Sequence, residues 1–178
     1  YGASGRCTGV QGTDVCVLSK YPIEEVVTGL STVPGGVDMK VRIDVEGRDV
    51  LLYPAHLDYT HYACYLPRGY DGVTWKKLLA PDGNPEAVLR MNRASTRVEA
   101  VAAFLEEVAR ERADLILLAG DFNEPSHLDW TDATCGMWDH NGCVVPWDCS
   151  VRLYDAGFRD VYRVLHPDPA THPGFTYP

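Results

Sequence analysis

The stretch LLAGDFNEPSHLDW, residues 117–130, decides how the chain reads. An aliphatic run stops at Gly120, Asp121 and Asn123 follow on alternate positions, and Pro125 breaks the chain. A short continuous apolar run of this kind, ADLILLAGD over residues 113–121, predicts a strand buried on both faces. Side chains two apart on an extended segment point to one side. Asp121 and Asn123 are therefore expected to face one cavity at the end of the strand, with Phe122 turned into the core. A carboxylate beside a carboxamide suits a hard cation together with a polar reactant, because the acid binds or takes a proton while the amide donates and accepts without charge. Asp and Asn are also ordinary turn formers after a strand.

Working outward, the segment just before this strand, STRVEAVAAFLEEVARERA over residues 95–113, predicts a helix. Val98, Val101, Ala102, Leu105, Val108 and Ala109 recur at helical spacing, and Thr96 with Glu99 makes a capping box at its entrance. Earlier still, TDVCVLS (13–19), KVRIDV (40–45) and RDVLLYPAH (48–56) read as strands, the last two joined by a hairpin at Glu46-Gly47. Residues 59–94 show no sustained period, and a loop of that length within a domain is usually functional. Short helices are expected at SHLDW (126–130) and SVRLYDAG (150–157). Strands interleaved with helices indicate an α+β or α/β layered domain, without an internal repeat or linker.

At 178 residues and 46% apolar content, the chain has the size of one ordinary domain and enough apolar surface for a core. No transmembrane segment is expected, because no stretch approaches the roughly 18–20 consecutive apolar residues that cross a bilayer. The first residues, YGASGRCTGVQGTD, have neither the basic start nor the apolar centre of a signal peptide. A formal net charge of -9 argues against affinity for nucleic acid through a broad basic surface. Positive charge does gather locally: Arg68, Lys76, Lys77, Arg90, Arg93 and Arg97 share a 30-residue stretch with three acids. That stretch reads either as a local anion site or as a solvated loop and helix start. The residues after His56 bring Tyr59, Tyr62, Tyr65, Tyr70 and Trp75 together with Arg68, Lys76 and Lys77. Such a composition stacks on a flat or sugar-like group and holds an anion, or else packs on its own aromatics. Six cysteines, at positions 7, 16, 64, 135, 143 and 149, are compatible with disulfides and lean towards an extracytoplasmic compartment. Zinc is disfavoured, since no C-x-x-C pair is present and His140 lacks knuckle spacing.

GDFN after an apolar strand, VLSKYPI (17–23), a strand ending in HLD (56–58), AGFRDVYRVLHP (156–167) and GFTYP (174–178) occur in an order that resembles the endonuclease/exonuclease/phosphatase superfamily. The resemblance implies an α+β fold, a DNase I-like β-sandwich flanked by helices in four α/β/β/α layers. It also implies attack of water on phosphorus assisted by Mg²⁺, with Mn²⁺ as a substitute. On this resemblance Asp121 ligates the metal or orients and deprotonates the water, and Asn123 holds the phosphate or that water. His56 hydrogen-bonds a phosphoryl oxygen or the leaving group, and Asp160 orients a general-base histidine. A cation is needed because a phosphoester anion repels hydroxide, and a carboxylate-poised imidazole takes a proton near neutral pH. Tyr65, Arg68, Trp75, Lys76 and Arg97 are the expected substrate contacts, and a small phosphoester is favoured over nucleic acid.

Departures from the pattern are equally specific. Nothing before Ser19 supplies the family's early Asn and Gln-Glu, and no Asp-x-Ile/Val strand with a Ser-Asp-His follows. The expectation is thus a single domain incomplete at both ends, an internal piece of a longer member, inactive by itself. The alternatives are a non-catalytic binding module that keeps the fold and a nuclease acting on DNA or RNA.

Overall fold

The computed structural model describes residues 15–176. They form an α+β structure whose one sheet has the order β1-β2-β3-β4, built from Ile23–Thr28 (β1), Met39–Val45 (β2), Arg48–His56 (β3) and Leu115–Asp121 (β4). Four α-helices accompany it: Pro85–Asn92 (α1), Arg97–Val108 (α2), Asp148–Asp155 (α3) and Val161–Leu165 (α4). Contacts divide the chain into two compact units, one made of residues up to Asp58 together with Glu99–Phe122, the other of Tyr59–Val98 and the residues from Asn123 onward. No helix among the described residues is long and apolar enough to cross a membrane.

The first unit holds the sheet. β2 and β3 pair antiparallel in unbroken register from Val41↔Leu52 to Val45↔Arg48. Glu46 (φ 55°) and Gly47 (φ 83°) are both left-handed between them, as a two-residue hairpin turn matching strand twist requires. Partners across a ladder share a face, so Met39, Val41, Ile43 and Leu52 lie together, and Val17 packs onto them. Met39 and Val41 are wholly buried, and each such side chain contributes about 1.5–3 kcal/mol. The opposite face meets α2. Phe104 packs edge-on against Tyr53 at 5.1 Å, and Lys40 pairs with Glu107 (3.0 Å) and Glu111 while Arg42 pairs with Glu111 (3.2 Å). The Lys40 bond holds the Glu111 carboxyl below its ordinary range, against burial.

β4 joins β3 in parallel from Val50↔Leu115 to His56↔Asp121. Gly120 makes this approach feasible. Its φ is 146°, and a Cβ there would begin 1.8 Å from the Ala55 carbonyl oxygen.

The second unit has its own core, in which Val88, Trp130, Cys143, Val145 and Trp147 are buried with Leu66 and Ala63. Cys16, Cys64, Cys135, Cys143 and Cys149 are free thiols, so the three closely spaced cysteines are not bridged; Cys7 lies outside the described residues. Burial pushes the Cys64 and Cys143 thiols up to about 11 each.

Several sequence expectations need correction. The described part of 13–19 is not a strand; Val15 and Val17 pack on the sheet as irregular chain, and the first strand is 23–28. β4 is an edge strand, partly exposed rather than covered on both faces, with Leu115 49% exposed. The segment 59–94 contains a 3-10 turn, Ala63–Tyr65, and all of α1, which Asn84 caps by accepting from Glu86 N and Ala87 N, with Pro85 at the first turn. SHLDW forms a turn closed by Asp129 N donating to Ser126 O, not a helix.

Gly120→Ala should abolish cooperative folding or lower Tm severely, since a backbone collision joins a left-handed φ, each among the changes that cost several kcal/mol. A thermal melt within about 2 °C of the parent would show that the β3–β4 approach is not as tight as described.

Candidate functional site

Two of the four residues expected to be catalytic meet in the first unit. The register sets His56 opposite Asp121 at the last position of each parallel strand, and the Leu57 amide closes the ladder by donating to the Asp121 carbonyl at 2.9 Å. In-register partners project from the same sheet face, about 4.8 Å apart strand to strand. Asp121 is exposed and His56 half-buried. An acceptor carboxylate and an imidazole that can donate thus stand at the carboxyl ends of adjacent parallel strands, where open α/β sheets commonly bind ligands.

Asn123 departs from expectation. Its φ of 48° is left-handed, so the alternation that would put it on the side of Asp121 ends with the strand. Asn tolerates this conformation better than most residues.

The next residue, Glu124, was not singled out by the sequence, yet it organises the second unit. One carboxylate oxygen accepts from Asn92 Nδ2 at 2.6 Å, and the other from the amides of Cys149 (2.7 Å) and Ser150 (3.4 Å) in the first turn of α3. An acid at a helix N-terminus satisfies amides that lack intrahelical partners. Burial raises the Glu124 pKa, and the bonds from Asn92 and Cys149 oppose that shift. Asn92 in turn accepts from Arg97 Nη2 at 2.7 Å, while Arg97 also donates to the carbonyls of Thr60 (2.9 Å) and His61 (3.0 Å). Arg97 is wholly buried. Where the sequence reading expects a substrate contact, the guanidinium instead ties the chain after β3 to α1 and, through Asn92, to Glu124.

Tyr65, Arg68 and Trp75 are brought together. Tyr65 packs against Tyr62 (4.9 Å), Tyr70 (6.1 Å) and Trp75 (6.1 Å), and the Arg68 guanidinium sits 5.4 Å from the Tyr65 ring while pairing with Asp139 at 3.1 Å. Trp75 is 56% exposed and has a left-handed φ of 60°, which is strained for a bulky residue. Asp71 stabilises that turn by accepting from Val73 N and Thr74 N, and these bonds hold its carboxyl below the ordinary range, Thr74 first. Lys76 is exposed beside it and uses its carbonyl to accept from Asp71 N.

Asp160 is the N-cap of α4, one oxygen accepting from Arg163 N at 3.0 Å and the other from Ser126 Oγ at 3.1 Å. The histidine nearest in this network is His127, whose Nδ1 lies 2.6 Å from Ser150 Oγ; burial lowers its pKa, with Asp155 and Asp160 opposing. Asp160 thus reaches a histidine through two serine hydroxyls rather than by direct contact, Ser126 and Ser150 being 3.4 Å apart.

Among the described residues no group of three or more His, Cys, Asp or Glu side chains could hold a metal ion. By themselves they do not fit a Mg²⁺ site, which needs oxygen ligands beyond the single Asp121 carboxylate.

A family model described as the Endonuclease/Exonuclease/phosphatase family matches residues 2–176. An uncharacterized protein of Caenorhabditis elegans is 30% identical over 167 residues, covering 92% of this chain and 49% of its own length, so the chain spans about half the length of this curated relative. No solved structure matches the chain.

Arg97→Lys should lower stability by about 2–4 kcal/mol, because an ammonium cannot reproduce the guanidinium fork and leaves buried carbonyls without donors. Chemical denaturation measures this; an unchanged midpoint with weakened anion binding would restore the substrate role.

Proposed function

The chain belongs to the endonuclease/exonuclease/phosphatase family, whose members hydrolyse phosphoesters and generally use divalent metals, and from that membership we propose that it contributes to such hydrolysis at the carboxyl ends of β3 and β4. The observation that carries the proposal is the register pairing of His56 with Asp121. In this reading the Asp121 carboxylate orients a water and accepts its proton as the water oxygen bonds to phosphorus. The bond from phosphorus to the leaving oxygen then breaks. His56 donates a hydrogen bond to a phosphoryl oxygen or to that leaving oxygen, where charge grows in the transition state. The four-layer DNase I-like sandwich is the frame this reading expects.

Mg²⁺ or Mn²⁺ would supply charge neutralisation at the phosphoryl oxygen. Asp121 is the one ligand this reading assigns to it. Tyr65, Arg68, Trp75 and Lys76 are the substrate contacts of this reading: half-buried Tyr65 packs beside exposed Trp75 with the Arg68 guanidinium over its ring, Lys76 is exposed, and the net charge of -9 favours a small phosphoester over long nucleic acid.

The test is hydrolysis of an aryl phosphodiester and an aryl phosphomonoester by the natural protein that carries this sequence. Chelation and Asp121→Asn should each suppress turnover, and His56→Ala should lower kcat by a factor on the order of 10²–10³ with little change in KM or Tm. A rate indifferent to these changes would reject the reading, and a fall in Tm with kcat preserved would make His56 a packing residue.

A further inference from the structure

In the first unit β1 runs antiparallel to β2, β2 antiparallel to β3 and β3 parallel to β4, so β1, β3 and β4 all point the same way. The residues joining β1 to β2, 29–38, therefore stand at the end of the sheet where β3 finishes on His56 and β4 on Asp121. The Glu46-Gly47 hairpin stands at the other end. The 29–38 loop is closed on itself: Leu30 N donates to Asp38 O (3.2 Å), Ser31 N to Asp38 Oδ1 (3.3 Å), Val33 N to Ser31 Oγ (3.1 Å) and Gly36 N to Val33 O (2.9 Å). These bonds give its tip one shape, with Thr32, Pro34 and Gly35 exposed.

Continued six residues past its last rung, Val41↔Leu52, the antiparallel β2–β3 register brings Gly35 opposite Asp58. The chain is no longer a strand there, since Gly35 has a left-handed φ of 65°. A Cβ on Gly35 would lie 2.9 Å from Asp58 N, 3.1 Å from Asp58 Cα and 3.2 Å from Asp58 Cβ. Two of these are backbone atoms, which cannot swing aside as the end of a side chain can. Only glycine lets the loop rest this closely on Asp58. The opposite flank of the same segment is held by β4, because Leu57 N donates to Asp121 O at 2.9 Å, and Leu57 is buried. His56, Leu57 and Asp58 are thus gripped between β4 on one side and the β1–β2 loop on the other.

We propose that Gly35 is a positioning residue for His56: by lying flat on Asp58 it lets the β1–β2 loop fix the chain past β3, and with it where the imidazole stands relative to Asp121. A side chain at residue 35 pushes Asp58 away, and His56, two residues back along the same chain, moves with it. The effect on rate rests on the hydrolysis proposed above, whereas the placement is a property of the first unit alone. Small displacements matter for chemistry, since a misplacement of about 1 Å can cost on the order of a hundredfold in rate.

The test compares Gly35→Ala with Gly29→Ala in the natural protein that carries this sequence. Gly29 has a similar φ of 73° but nothing within 4 Å of its Cβ position, so its variant carries the backbone strain without the collision. The first readout is the NMR spectrum of the His56 ring, whose resonances are those missing from His56→Ala. Gly35→Ala should move them and Gly29→Ala should not. The second readout is phosphoester hydrolysis, where Gly35→Ala should lower kcat about tenfold with KM nearly unchanged, and Gly29→Ala should leave both near the parent. Ser31→Ala, which removes the acceptor of Val33 N without adding an atom, serves if Gly35→Ala does not fold, and should move the same resonances. His56 resonances that stay in place in the folded variant, or that Gly29→Ala moves equally, would overturn the proposal. A parent protein without hydrolytic activity would instead reject the proposed function, and the ring spectrum would still decide whether Gly35 positions His56.

Discussion

A side chain at residue 120 would start 1.8 Å from the carbonyl oxygen of Ala55, and much else follows from the side chain being absent. Two parallel strands can close on each other there only with glycine at a positive φ. Once they do, the ladder is fixed to its last rung, and a one-residue slip would send every β4 side chain to the other face. The final rung joins His56 and Asp121. Shape and chemistry are thus set by one backbone contact: Gly120 is not reactive, yet it decides which residue stands opposite the carboxylate.

The residues beyond Phe122 obey a different constraint. Arg97, Asn92 and Glu124 form a buried relay that ends on the first amides of α3. Each link is charged or uses a full amide, and a buried network of this type is stable only when its members are paired. Asn123 and Asp160 take their positions within that second unit, from a left-handed turn and from a helix cap. The GDFN motif therefore runs from a strand held by sterics into a turn held by hydrogen bonds.

The readable parts of the sequence were those where local chemistry agrees with the final structure. The hairpin at Glu46-Gly47 carries its turn residues, the helix over 97–108 its apolar period, and the strand before Asp121 its continuous apolar run. β1 was not legible because IEEVVT carries two glutamates, and a bulge between Ile23 and Glu25 breaks its alternation. α1 was hidden by surrounding Gly and Pro, although Asn84-Pro85 is a helix-start signal. Of the site, His56 and Asp121 were read through motif resemblance and prove to be register partners. A buried arginine and a substrate-binding arginine look alike in sequence; at Arg97 only the carbonyls of Thr60 and His61, far away along the chain, distinguish them. Glu124 was overlooked although it adjoins the motif, since its partners at 92 and 149 are distant in sequence.

The proposed function rests on His56 and Asp121 acting as a pair because β3 and β4 end in register. A double-mutant cycle on kcat, measured in the natural protein that carries this sequence with His56→Ala, Asp121→Asn and the double variant, tests that most directly. Groups that serve one transition state lose their effects together, so the account predicts a double variant close to the worse single one and a coupling on the order of 1–3 kcal/mol. Fully additive losses would contradict it, placing the two residues in separate steps or leaving one of them outside the reaction.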